Sequence, residues 1–101
     1  MFNQLVLTGQ VCKSPKFTTS PAGVIHGQFS IEHKSIQQED GFNRNAYVRL
    51  HVVTCGEQQQ QLIKNFIVGD EVQVSGFLNR HESKNGQAII AIHAQHIERL
   101  N

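Results

Sequence analysis

The chain has 101 residues, of which 39% are hydrophobic, and nine Lys and Arg against eight Asp and Glu give it a net charge of +1. That length suits a single domain over residues 1–101. The net charge is far from the strongly basic balance of many nucleic-acid-binding proteins, so any binding of nucleic acid would depend on the local placement of charge. No apolar run reaches the roughly 20 residues of a membrane helix, and the first residues do not resemble a signal peptide, so we expect a cytoplasmic protein that uses no membrane.

Two β-rich segments come first in the chain. The run "LVLTGQVC" predicts a strand that ends near Lys13, and "KSPKFTTSPAG", which holds both prolines, predicts a long turn-rich loop. The next segment, "VIHGQFSIEH", alternates, with Ile25 and Phe29 on one face and His26 and Gln28 on the other. This period of two predicts a second strand with one solvent-facing side.

A third strand follows a segment of little regular pattern. "KSIQQEDGFNRNA" predicts a loop or an extended hairpin arm, and "YVRLHVVT" then resumes the alternation. Its core face is predicted to carry Val48 and Leu50, whereas Tyr47, Arg49 and His51 point the other way. Tyr47 is therefore predicted to be an outward-facing aromatic residue on a sheet.

The second half of the chain predicts a short helix and a final hairpin. After Gly56, "EQQQQLIKNFIVGD" favours a helix in which Leu62, Ile63 and Phe66 cover the core. Two alternating segments, "EVQVSGFLNRH" and "AIIAIHAQHIERL", flank an Asn85–Gly86 turn and predict an antiparallel pair.

This element order is that of the OB-fold, a five-stranded Greek-key barrel. We therefore predict an all-β protein with long loops and at most one short helix. A small SH3-like barrel or a six-stranded sandwich has strands of similar length, and the pattern alone leaves both open.

The cysteines and histidines do not indicate a metal or catalytic centre. Cys12 and Cys55 lack CxxC spacing, so we expect reduced, at least partly buried thiols. His93 and His96 form HxxH, but on a strand they face opposite sides and cannot readily chelate one ion. Glycine-rich phosphate loops and matched acid–base groups are also missing. We expect no cofactor, no metal and no enzymatic activity, and a small nuclease is the enzyme alternative.

An OB-fold that binds single strands needs cations for phosphates and flat side chains for unpaired bases. The stretch "EDGFNRNAYVRLHVV" offers Phe42 and Tyr47 beside Arg44 and Arg49. Phe42 has an alternative to base stacking, which is that it lies in a loop and folds back onto the barrel.

Further cations stand elsewhere in the chain. Lys34, Arg80 and Lys84 extend a basic track if the barrel brings their segments together. Their alternative role is ordinary solubility.

Four segments carry a resemblance that spans essentially the whole chain: "NQLVLTGQVCKSP", "SPAGVIHGQFSIEHKSIQQEDGF", "VGDEVQVSGFL" and "KNGQAIIAIHAQHIE". In order and spacing they resemble the primosomal replication protein N (PriB) family. The resemblance implies a noncatalytic OB-fold homodimer, related to single-stranded-DNA-binding proteins, that acts in replication restart. It also implies two protein partners, the PriA helicase, which it joins on DNA, and DnaT, which it helps to recruit.

The resemblance also implies which residues bind single-stranded DNA. Carried over position by position, that surface comprises Lys34, Phe42, Arg44, Tyr47 and Lys84. Additional candidate contacts are Lys13, Lys16, Arg49 and Arg80.

Two departures from the family pattern affect the expected affinity. Tyr47 stands where members often carry Trp, and its smaller ring offers less stacking area. Thr18, Glu82 and Ile89 stand where members can carry lysine, so binding should be weaker and less salt-dependent.

Two other kinds of binding protein remain open. A general single-stranded-DNA-binding protein usually adds a long acidic-ended tail, and this sequence stops at "HIERLN". A protein-interaction adaptor with only weak DNA binding is the alternative from another functional class.

Overall fold

Five strands and one short helix form a closed barrel in a computed structural model that describes all 101 residues. The elements are β1 (Leu5–Thr19), β2 (Ile25–Glu39), β3 (Phe42–Cys55), α1 (Glu57–Ile63), β4 (Glu71–Glu82) and β5 (Ala88–Arg99). Around the barrel the strands run in the order β1-β2-β3-β5-β4, and only β3 and β5 are parallel. The OB-fold prediction is confirmed. No helix is long and apolar enough to cross a membrane.

The core is filled by inward-facing side chains from every strand and from the helix region. Its eleven buried members are Val11, Phe29, Ile31, Leu50, Val52, Ile63, Phe66, Val72, Val74, Ile92 and Ile97. Phe29 and Phe66 meet edge to face, with ring centroids 5.8 Å apart. Burial of this apolar surface is the main favourable term that holds the barrel together.

The first strand is longer than the sequence predicted. β1 does not end near Lys13 but continues to Thr19, with Pro15 inside it. Its pairing with β2 shifts register between Val11 and Lys13 and again between Lys13 and Lys16. A proline, which cannot donate a ladder hydrogen bond, is tolerated at such an irregularity.

The segment between the second and third predicted strands is a hairpin arm. β2 and β3 pair without a register shift from His26 opposite Cys55 to Glu39 opposite Phe42. Asp40 and Gly41 form the connection with φ values of 50° and 79°, the positive values of a type I′ turn. Phe42 is therefore the first residue of a strand rather than part of a loop.

Three predictions of burial are wrong. Val48 is 38% exposed although it shares the core-facing side of β3 with buried Leu50. Leu62 is 46% exposed because α1 presents Ile63, not Leu62, to the core. Cys55 is exposed, whereas Cys12 is half-buried as predicted, and both thiols are free.

Asp70 joins the turn before β4 to the end of β5. Its buried carboxylate accepts a hydrogen bond from the Ile67 amide at 3.0 Å and contacts the Arg99 guanidinium at 3.3 Å.

Asp70→Ala leaves that amide without its partner and is expected to lower the free energy of unfolding by about 1–3 kcal/mol. Urea denaturation measures this change. Glu98→Ala, at an exposed position of β5, is the control, and equal midpoints for both variants would contradict the role of Asp70.

Candidate nucleic-acid interface

The outer side of β2 and β3 carries a row of polar and aromatic side chains. Three directly paired positions form this outer row: Lys34 with Tyr47, Glu32 with Arg49, and Ser30 with His51. Because the register is unbroken, side chains alternate strictly between the two sides of the arm. Tyr47 is 58% exposed, which confirms the prediction that it faces outward.

Tyr47 and Lys34 come together at one end of this row. The Lys34 Nζ atom lies 5.7 Å from the centroid of the Tyr47 ring, within the range of a cation–π contact. An exposed ring beside an ammonium group offers a base-stacking surface next to a charge that can neutralise a phosphate.

The phenol of Tyr47 stays uncharged at neutral pH. Desolvation, followed by the nearby Glu32 carboxylate, raises the pKa of Tyr47 above its ordinary value, and the positive charge of Arg49 opposes this shift. A raised pKa keeps the proton on the phenol, so the ring adds no negative charge to the row. Glu32 itself is the one anion of the outer row.

Phe42 and Arg44 lie on the other side of the arm. Phe42 pairs with Glu39 and Arg44 pairs with Gln37, so both fall on the even-numbered side of β3, opposite Tyr47. Phe42 is 64% exposed, which excludes the alternative that it folds back onto the barrel. The structure therefore divides the predicted surface between two sides of one hairpin.

Lys13 and Lys16 share the side of the outer row, a placement that the sequence left open. Both line a shallow cavity of about 150 Å3 together with Gln28, Ser30 and His51. The irregular pairing of β1 with β2 positions them there. Two cations thus stand beside the end of the row that is remote from Tyr47.

Arg80 and Lys84 belong to the β4–β5 hairpin. Lys84 lies in its turn, and Arg80 contacts Glu82 at 3.7 Å between two well-exposed side chains. Such a pair contributes little to stability, but it reduces the charge that Arg80 offers to a phosphate.

A groove opens between the outer row and the β4–β5 hairpin. It has a volume of about 410 Å3. Among its lining residues are Thr18, His26, His51, His81, Glu82 and Ile89, and we call this the histidine groove. Thr18, Glu82 and Ile89, the three positions at which the resemblance implies lysine in other members, therefore line one groove, which contains three histidines in this chain.

This groove was not predicted from the sequence, because the histidines were considered only as metal ligands. A signal was present, since the alternation already placed His26 and His51 on the solvent-facing sides of their strands. No group of three or more His, Cys, Asp or Glu side chains is arranged to hold a metal ion.

His81 and His93 form a pair at the margin of the groove. Their Nε2 atoms are 2.7 Å apart, so the two nearly parallel rings meet edge to edge with centroids 4.9 Å apart. The Phe77 ring also lies nearly parallel to that of His93, with centroids 4.9 Å apart. Desolvation, followed by the charge of His81, lowers the pKa of His93. The lowered pKa favours the uncharged form of His93.

Comparisons of sequence relate the chain to known proteins. Residues 3–96 match the model of a family described as another single-strand binding protein family. The chain is 40% identical over 101 residues to the replication restart protein PriB of Escherichia coli O1:K1, and the match covers 100% of this chain and 97% of that protein.

Two solved structures resemble the barrel closely. PriB from Ralstonia solanacearum has a TM-score of 0.81 at 17% identity, with 100% of both chains covered. A Plasmodium falciparum SSB in complex with single-stranded DNA has a TM-score of 0.80 at 18% identity, covering 100% of this chain and 96% of that one. At these identities the likeness establishes the fold.

Proposed function

Because the chain belongs to the PriB-type replication restart proteins of the single-strand binding family, we propose that it binds single-stranded DNA without catalysing a reaction. The observation that carries this function is the exposed Tyr47 ring with the Lys34 ammonium 5.7 Å from its centroid. In this binding mode, bases stack on Tyr47 while Lys34 and Arg49 neutralise neighbouring phosphates.

The other candidate contacts extend this surface in two directions. Phe42 and Arg44 provide a second ring and a second cation on the far side of the arm. Lys13 and Lys16 continue the surface along the barrel. A DNA strand that turns around the hairpin arm would reach both these lysines and the far side of the arm. Lys84 and Arg80 would contact DNA that crosses to the β4–β5 hairpin.

Salt titration tests whether DNA is the ligand. Fluorescence anisotropy of a labelled oligothymidine should give a linear fall of log affinity with log salt, with a slope of about −0.7 for each neutralised phosphate. With Lys34, Arg44 and Arg49 engaged, the total slope should be about −2. A flat, weak response would favour the adaptor function, which the anionic Glu82 and the apolar Ile89 in the groove also favour.

Phe42→Ala is expected to weaken the binding of long oligonucleotides by about 1 kcal/mol, because one base loses its stacking surface. Since Phe42 and Tyr47 lie on opposite sides of the arm, oligonucleotides too short to turn around it should bind as they do to wild type. Anisotropy with a series of oligothymidine lengths measures this difference. Asn45→Ala, on the same arm without an aromatic ring, is the control, and an effect of Phe42→Ala at every length would contradict the two-sided arrangement.

The same proposal includes protein partners and a dimer. The protein would stabilise the PriA helicase on DNA, help to recruit DnaT and act as a homodimer. Exposed apolar side chains support partner surfaces, since Leu78 on β4 and Ile90 on β5 share one side of their hairpin and are 38% and 51% exposed. Light scattering tests the dimer, and retention of PriA on forked DNA with and without this protein tests the partnership.

A further inference from the structure

The outer row contains one acidic side chain, Glu32, in a position where negative charge repels phosphates. Glu32 pairs directly with Arg49 across β2 and β3, and Lys34 is the next outward residue of β2. It nevertheless forms no ion pair with either cation, because both ion pairs of the protein lie elsewhere. Its carboxylate is therefore free to accept hydrogen bonds from a ligand.

This carboxylate lies beside the ring on which bases are proposed to stack. Glu32 is the diagonal neighbour of Tyr47 across the strand pair, a separation that an aromatic side chain can span. Desolvation and then the charge of Glu32 raise the pKa of Tyr47, which agrees with this proximity. An unpaired base stacked on Tyr47 therefore has one edge next to a carboxylate.

A carboxylate recognises a base by accepting hydrogen bonds, and its two oxygens can accept two parallel bonds at once. Unpaired bases expose their Watson–Crick edges to such contacts. On that edge guanine presents two adjacent donors, N1–H and the 2-amino group. Adenine and cytosine present an amino donor beside a ring-nitrogen acceptor, and thymine presents one donor between two carbonyl oxygens. Guanine is therefore the base whose edge matches a carboxylate.

We propose that Glu32 gives the protein a preference for guanine as the base stacked on Tyr47, by accepting hydrogen bonds from N1–H and the 2-amino group. This inference rests on the proposed function and deepens it, because stacking on a ring and neutralisation of phosphates do not by themselves distinguish the bases. The ligand is a guanine base within single-stranded DNA.

The surroundings of Glu32 are compatible with this role. Gln10 of β1 pairs directly with Glu32, and both line a cavity of about 330 Å3 together with Lys34. The cavity leaves room for the edge of a base to approach the carboxylate. Lys34 and Arg49 stand on either side of Glu32 in the outer row, where they can contact the phosphates that flank the recognised base.

Short oligothymidines that carry one central purine test the preference. Guanine and adenine have rings of the same size, so this pair of probes separates recognition of the edge from stacking. For wild type, the guanine probe is expected to bind about fivefold more tightly than the adenine probe in fluorescence anisotropy at constant salt. A probe with hypoxanthine, which is guanine without its 2-amino group, should fall between them.

Glu32→Ala should bind the guanine and adenine probes equally. The matched control is Glu98→Ala, which removes the same charge from an exposed position of β5 outside the outer row and should keep the wild-type ratio. Circular dichroism checks folding. If Glu32→Ala does not fold, Glu32→Gln decides, because it keeps the size of the side chain but has one acceptor oxygen instead of two. Its ratio should fall to about twofold or less.

The inference is overturned if wild type binds the guanine probe no more tightly than the adenine or the hypoxanthine probe, or if the folded Glu32 variant keeps the wild-type ratio. Unsubstituted oligothymidine separates this failure from failure of the proposed function. If wild type binds oligothymidine and Tyr47→Ala weakens that binding while no guanine preference is found, only the inference fails. If wild type does not bind oligothymidine, the proposed function fails as well.

Discussion

Replacing Tyr47 with alanine is expected to weaken the binding of single-stranded DNA by about 1–3 kcal/mol, because an unpaired base loses its stacking partner. The ring contributes little to the fold, since it is 58% exposed and points away from the core. The variant should therefore keep the circular dichroism spectrum and the unfolding midpoint of wild type. Anisotropy of labelled oligothymidine at constant salt and pH measures the loss.

Tyr47→Phe is the matched control for this prediction. It keeps the aromatic face that a base stacks on and removes only the phenolic hydroxyl near Glu32. We expect its affinity to stay close to that of wild type. Wild-type affinity in a folded Tyr47→Ala protein would remove this residue from the DNA-binding surface, and the salt slope would then show whether cations alone carry the binding.

Gly76→Ala is expected to lower the free energy of unfolding by about 3 kcal/mol, because the added methyl group has no space. A Cβ atom at this position would overlap the backbone carbonyl oxygen of His93 and lie 3.1 Å from the Cα atom of Ala94. Both obstacles are backbone atoms of β5 and cannot rotate away. The overlap can be removed only if β4 and β5 move apart at the register shift between Ser75 and Gly76.

Urea denaturation of Gly76→Ala against Ser75→Ala isolates this effect. Ser75 is the neighbouring position on β4, is only half-buried and makes no side-chain hydrogen bond within the protein. Equal midpoints for the two variants would show that β4 and β5 do not approach each other so closely.

Local alternation predicts much of this fold, since a period of two determines which side of a strand each residue occupies. It placed Tyr47 outward and Leu50 inward, as the structure does. It does not determine where a barrel ends, and so it placed Val48 in the core although the arm has already left the barrel at that point. The length of β1 was also missed, because its second half is held by pairing to β2 across register shifts rather than by a regular pattern.

The candidate site was predictable to the same extent. Lys34 and Tyr47 meet because they are directly paired on β2 and β3. The opposite orientation of Phe42 followed from its even number once residues 42–55 formed one strand, but Gly41 and the asparagines around Phe42 indicated a loop. The histidine groove depends on residues from all five strands, and such a combination emerges only when the barrel is closed.

β1 pairs with two different strands, and this affects the order in which the barrel folds. Its first half pairs with β4, where Leu5 lies opposite Gly76, whereas its second half pairs with the neighbouring β2. Contacts between residues far apart in sequence form late because loop closure costs entropy before the contact is made. On a ribosome, the hairpin that carries Tyr47 can form as soon as β2 and β3 have emerged, whereas closure must wait for β5, which lies between β3 and β4. The nascent chain therefore acquires its stacking residues on a preformed hairpin well before the sheet becomes a ring.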